Sequence, residues 1–482
     1  MNIRIFNARI LTMEENRPIF EGELHVQGNK ITYVGSALDE VPWSRRKGPQ
    51  DVPAQFRWGD LQNIATQFPG ENLQDISAQF PGKNLQKAVG GNSVVGKEKV
   101  IWDREIDAQG NVIMPGFKNA HTHSAMTFLR SYADDLPLLD WLNQQVFPME
   151  AKLTPEDIYY LSKLAILEYL TSGITANLDM YLTPDTVAAA SFDCGFRTVM
   201  CGGLNNFSQS FELLEEWYEK YNDPESLVNF RLGFHAEYTN SRENLERLAA
   251  LSRKYQTPMH VHNSETKQEV EDCIERYGVT PTVLFDRIGI FDHGGVCFHC
   301  VHMTDEDLDI LKKRNVYVVT NPASNVKLAS GIARIEDMLG RGIHVAIGTD
   351  GPASNNCLDM FREMFLTTGL AKIRAHDASA LDANQVLRMA TVEGAHAMGL
   401  QEADVLAEGK LADLIMIDLN QPNMQPLNNI TKNIVYSGSK QNVKMTMVNG
   451  KILYEDGVFD VGTPAEVIYI KANEITERMK NS

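Results

Sequence analysis

The chain has 482 residues, more than one ordinary domain, and a barrel of about 250 residues with an appended domain fits that length. Hydrophobic content of 43% and charged content of 22% are those of a globular protein. A net charge of −18 disfavours nucleic acid or an anionic membrane as partner, since both call for clustered Lys and Arg; a small neutral substrate stays open.

The first residues, Met1-Asn2-Ile3-Arg4-Ile5-Phe6-Asn7, lack an apolar signal core with a cleavage site, and no apolar stretch approaches membrane-spanning length. The expected compartment is the cytosol. Residues 1–35 alternate apolar and polar positions between turn residues. Ile3 with Ile5, Leu24 with Val26, and residues 31–34 predict short antiparallel strands. Residues 414–417, 444–448 and 451–454 repeat that texture, the last two joined by an Asn449-Gly450 turn. Two β-rich ends predict one small composite β-sandwich, built from residues 1–110 and 401–482.

Residues 40–100 interrupt the first end. A Gln-Phe unit recurs every twelve residues, at Gln55-Phe56, Gln67-Phe68 and Gln79-Phe80. Two or three short copies are too few for a solenoid. They read as a solvent-facing insertion, or as a lid or oligomer contact.

From residue 111 to 400 short apolar runs alternate with helix-like segments. The runs are 112–114, 174–178, 197–200, 231–234, 258–261, 295–300, 316–319 and 343–347; amphipathic stretches such as 156–170 and 243–254 lie between them. Eight runs with helical spacers predict an α/β fold, a TIM-like (β/α)8 barrel, whose chemistry belongs at the C-terminal ends of its strands. Six scattered cysteines (Cys194, Cys201, Cys273, Cys297, Cys300 and Cys357) do not make a disulfide framework in a chain this long. Cys297-x-x-Cys300 has no second pair, so buried thiols are expected there.

At the end of the first run stands Pro115-Gly116-Phe117-Lys118-Asn119-Ala120-His121-Thr122-His123. Side chains two apart on a strand point the same way, so His121 and His123 can share one metal ion. An HxH pair alone is a weak signal. The fifth run ends in His260-Val261-His262 and the eighth in Gly348-Thr349-Asp350-Gly351. His121, His123, one of the two fifth-run histidines, and Asp350 therefore meet at one predicted rim. Three nitrogens and a carboxylate oxygen suit Zn2+, with Fe2+ as the alternative.

These motifs, with His262-x-x-Glu265, His299 and the run Asn321-Pro322-Ala323-Ser324-Asn325-Val326-Lys327-Leu328, resemble the amidohydrolase superfamily and, within it, the 5-methylthioadenosine/S-adenosylhomocysteine deaminase family. The likeness covers nearly everything but residues 40–100. It implies one catalytic metal and makes His262 the fifth-strand ligand; two-metal relatives carry a strand-four lysine, absent from residues 229–235. A bound Zn2+ brings the pKa of its water toward about 7, and attack is expected at the purine carbon bearing the amino group. Glu265 is expected to carry a proton to the ring, Asp350 to accept one from the nucleophile, and His299 to steer it. Ammonia leaves and an inosine-type product remains.

The resemblance also implies a substrate pocket. Glu150 takes the sugar-diol position, His235 and Ser354 contact substrate, and Trp141 forms a wall. Gly202, where users of S-adenosylhomocysteine carry an arginine, and the arginine-free residues 203–211 disfavour a charged amino-acid tail. Phe207 and Phe211 suit an apolar 5′ group instead. The expected substrates are 5′-methylthioadenosine, 5′-deoxyadenosine or adenosine ahead of S-adenosylhomocysteine, and a homo-oligomer is expected. The rivals are a deaminase or chlorohydrolase of a free base, pterin or triazine, and a non-catalytic scaffold.

Overall fold

The computed structural model describes residues 1–38 and 101–481, so the twelve-residue repeat lies outside the described residues. Met1–Ser36 and Asp103–Ser482 make one compact unit. In this unit, strands from both ends of the chain join one nine-stranded sheet. The N-terminal end supplies β1 (Asn2–Ile10), β2 (Phe20–Gln27), β3 (Lys30–Gly35), β4 (Arg104–Asp107) and β5 (Val112–Pro115). The C-terminal end supplies β15 (Leu414–Ile417), β16 (Val443–Val448), β17 (Lys451–Glu455) and β18 (Val458–Phe459). The order is β18-β17-β16-β15-β5-β1-β2-β3, with β4 on β1. Asn449 and Gly450 both take positive φ (52° and 76°), as a tight hairpin between β16 and β17 requires. Ile3, Ile5, Leu24 and Val26 from one end share a buried core with Leu414, Met416, Met445 and Met447 from the other.

Two parallel sheets carry the rest. One runs β6 (Phe117–Thr122), β7 (Ile174–Met180), β8 (Arg197–Cys201), β9 (Val228–Arg231); the other runs β10 (Gly233–Ala236), β11 (Met259–Asn263), β12 (Gly295–His299), β13 (Val316–Thr320), β14 (Val345–Ile347). β7, β8, β11, β12 and β14 are buried along their whole length, which is why they read as apolar runs rather than alternating ones. Helices fill the connections. Pro155–Thr171 opens on a Thr154/Asp157 capping box and Lys267–Tyr277 on a Thr266/Glu269 one.

The run 112–114 departs from expectation. It is β5, pairing with β1 and β15, and the strand that carries His121 is β6. Pro115-Gly116 separates the two, and a Cβ on Gly116 would lie 2.1 Å from the Thr175 side chain. A buried apolar run shows that a strand is covered, not which sheet covers it. Among the described residues no helix is long and apolar enough to cross a membrane.

Candidate active site

The C-terminal ends of β6, β11 and β14 bring one ligating atom each from His121, His123, His262 and Asp350 within 4.8 Å of one another. His121 and His123 Nε2 lie 3.5 and 3.3 Å from Asp350 Oδ1. Backbone carbonyls set two of the rings: His123 Nδ1 donates to Met180 O (2.6 Å) and His262 Nδ1 to His235 O (2.7 Å). A carbonyl only accepts, so Nδ1 carries the proton in both rings; burial lowers His123, but the Asp350 carboxylate beside its Nε2 outweighs this and raises it to about 9, so a cation bound there would displace that proton. Both nitrogens of His121 are buried without a hydrogen-bond partner. Burial holds His121 down to about 3 and His262 well below its ordinary value, so both rings are neutral, as ligation requires. Three imidazoles, one of them orphaned and neutral, beside a carboxylate make a donor set that fits a cation of the Zn2+ type.

Asp350 is fixed from several sides. Ser324 and Ser354 hydroxyls donate to Oδ2 (2.6 and 2.8 Å), and Gly351 N donates to Oδ1 (2.8 Å). Its backbone N donates to His121 O (3.0 Å), and a Cβ on Gly348 would lie 2.8 Å from that same oxygen, so the close approach requires glycine. His299, Ser264 and Asp350 have φ of 68°, 52° and 59°. Such non-glycine conformations persist where the surroundings over-determine them.

Glu265 is buried and belongs to no ligand pair; burial raises its carboxyl above the ordinary range. His299 Nε2 lies 3.8 Å from Glu265 and 3.9 Å from Asp350, and His299 Nδ1 donates to Asn325 Oδ1 (2.8 Å). Glu269 receives the backbone N–H of Ser264 (3.0 Å) and Glu265 (2.7 Å), which fixes the turn presenting Glu265.

A cavity of about 680 Å3 opens over these groups, and His123, His262, Glu265, His299, Asp350, Ser354, Glu150, His235 and Trp141 all line it. Every site residue expected from the sequence therefore faces this cavity except His121, which lies fully buried against Phe298 with ring centroids 3.8 Å apart. Glu150 Oε1 is buried without a partner, and burial lifts its carboxyl to about 7. Phe207, 92% exposed, stands on the cavity wall. Phe211 does not line it: its ring packs under Arg247, 3.8 Å from the guanidinium carbon. Phe211 opens the helix Phe211–Lys220, past the bends that place Phe207 on the wall. No Arg or Lys lines the cavity among the described residues. His260 and His302 lie off the wall, the latter bonded to Ser330 O (2.6 Å). Sequence reasoning missed Ser324 and Asn325 as supports, although both fall in the run 321–328 that carries the family likeness; it also missed Tyr181 and Tyr238 on the wall.

Residues 112–453 match the amidohydrolase family. A 5-methylthioadenosine/S-adenosylhomocysteine deaminase of Moorella thermoacetica is 43% identical over 387 residues, covering 78% of this chain and 89% of that protein. One of the same name from Caldanaerobacter subterraneus subsp. tengcongensis is 40% identical over 489 residues, covering 100% of this chain and 98% of that protein. The crystal structure of an adenosine deaminase from Xanthomonas campestris with bound zinc superposes with a TM-score of 0.82 at 29% identity, covering 100% of this chain and 98% of that one. The cavity geometry and these likenesses converge: the chain belongs to the amidohydrolase family, among the relatives named 5-methylthioadenosine/S-adenosylhomocysteine deaminase.

Proposed function

We propose that this chain is a cytosolic metal-dependent hydrolase that deaminates adenosine-type nucleosides, releasing ammonia and the inosine-type product. The observation that carries the reading is a His3Asp cluster beside a non-ligand glutamate on the wall of one nucleoside-sized cavity. His121, His123, His262 and Asp350 would hold one cation, Zn2+ in this reading with Fe2+ as the alternative. When bound, it supplies Lewis-acid activation of water at neutral pH.

The chain's own residues do the rest. Glu265, whose carboxyl burial raises above its ordinary range, gives a proton to a ring nitrogen as charge builds on the purine. Asp350 accepts one proton from the attacking water and passes it to the departing amino group, which leaves as ammonia, while the second water proton returns to Glu265; the two serine hydroxyls on Oδ2 keep Oδ1 turned to the histidines. His299 Nε2, between Glu265 and Asp350, orients that water. Glu150 offers an unpartnered carboxyl oxygen to a ribose diol, with His235 and Ser354 as further substrate contacts and Trp141 as a wall. The absence of Arg and Lys among the described wall residues supports a neutral 5′ group over an amino-acid tail.

We read the architecture as a closed (β/α)8 barrel over residues 111–400 with a composite β-sandwich from residues 1–110 and 401–482. The Asp350 N to His121 O bond at one seam and the Leu204–Phe234 bridge at the other support closure. The core shared by both chain ends supports the sandwich.

A panel of 5′-methylthioadenosine, 5′-deoxyadenosine, adenosine and S-adenosylhomocysteine tests the activity, read as ammonia release and the ultraviolet shift from adenine to hypoxanthine. Turnover of guanine, a pterin or a chlorotriazine with none of the nucleosides overturns it, since a free base leaves Glu150 without a diol.

A further inference from the structure

The helix Met360–Ala375 follows the β14 loop and contributes nothing to the cavity wall. Its Glu363 is nonetheless fully buried, and both its carboxyl oxygens are used. Oε2 accepts from the backbone N of Ala323 (3.0 Å), and Oε1 from Asn355 Nδ2 (2.7 Å). The same Asn355 amide donates to Thr349 O (2.6 Å).

Each contact lands next to a residue that touches the site. Ser324 and Asn325 follow Ala323; the first holds Asp350 Oδ2 and the second holds His299 Nδ1. Asp350 follows Thr349, and Ser354, the other hydroxyl on Oδ2, precedes Asn355. One buried carboxyl thus ties the short helix after β13 (Pro322–Lys327) to the loop after β14, where Asp350 sits at positive φ. We propose that Glu363 is a positioning residue that fixes the Asp350 carboxylate and the His299 ring by clamping these two segments together.

Glutamine at 363 has the same size but turns one acceptor into a donor. That donor faces either Ala323 N–H or the Asn355 amide. Flipping the Asn355 amide to accept it gives up the bond to Thr349 O. The segments must then shift, and Asp350 with them.

The inference rests on the metal reading above, and its test separates the two. Zn2+ affinity of the metal-stripped full chain is measured by competition with a chromogenic chelator, alongside the thermal midpoint, and kcat and KM are measured at saturating Zn2+. Supports of metal ligands typically change affinity by 10–100-fold, so Glu363→Gln is expected to bind Zn2+ about tenfold more weakly. kcat falls about tenfold with KM nearly constant, the pattern of a misplaced reacting group. Ile5→Ala in β1, buried far along the chain in the other sheet, lowers the midpoint and leaves Zn2+ affinity unchanged. If Glu363→Gln does not fold, Asn355→Ala, which removes one arm, must weaken Zn2+ binding instead. A Glu363→Gln chain with a lowered midpoint but wild-type Zn2+ affinity overturns the inference alone. A wild-type chain that binds no Zn2+ overturns the metal reading and leaves Glu363 nothing to position.

Discussion

Two buried polar clusters, one by the N-terminal ends of the parallel strands and one by their C-terminal ends, differ in one respect. At the N-terminal ends, Arg197 on β8 makes a paired contact with Asp413, Nε to Oδ2 at 2.6 Å and Nη2 to Oδ1 at 3.1 Å. Nη2 also donates to Asn449 Oδ1 (3.2 Å), and Asn449 N donates to Asp413 Oδ1 (2.7 Å). Lys118 Nζ nearby donates to Gly116 O (2.9 Å) and Thr175 Oγ1 (2.8 Å). At the C-terminal ends, His121 has two nitrogens without partners, and Glu150 an unpartnered oxygen. Leaving a buried polar group unpaired costs about 1–3 kcal/mol, so an orphan that persists calls for a reason. The paired cluster joins β8 to the sheet beside it, whereas the unpaired one is poised for a ligand.

That contrast sets the expected outcomes. His121→Ala removes a ligand and abolishes turnover together with tight metal binding, and the metal-stripped chain loses little stability beyond ring packing; equilibrium denaturation and metal analysis check both. Glu265→Gln keeps the metal but lowers kcat by about 10²–10⁴, the span of positioned proton transfer; full rate in this variant removes Glu265 from the reaction. Arg197→Met leaves the buried Asp413 carboxylate without its ion-pair partner and is expected to cost about 3–5 kcal/mol in denaturant unfolding, with the rate per folded molecule unchanged. A loss below that range would show the base cluster to be as loosely held as the rim.

The smallest effect is a pH dependence. Burial raises Glu150 from 4.5 to about 7, so its neutral form is favoured in the folded state. Its contribution to stability is fully present below the unfolded value and is lost as pH rises through about 7. As an acceptor for a diol it works ionised, so kcat/KM should climb toward and above that pH, and Glu150→Gln should lower kcat/KM and flatten the profile.

Much of the site was legible because strand ends are marked in sequence. His262, His299 and Asp350 each close an apolar run, and a run covered on both faces advertises itself. The sheet that claims residues 112–114 was not legible, since β5 and β6 are equally buried and only pairing distinguishes them. Phe211 was misplaced because an aromatic at the start of the helix Phe211–Lys220 can face the wall or the next helix, and only packing against Arg247 decides. Glu363 carries no mark at all: its role arises from two segments that meet only in the folded chain.

The most direct test is a titration of the metal-stripped full chain with Zn2+, following 5′-methylthioadenosine deamination and bound metal together. The account predicts no turnover without metal and full turnover at one equivalent per chain. Turnover by the stripped protein, or stoichiometric Zn2+ uptake that His121→Ala leaves intact, would contradict it.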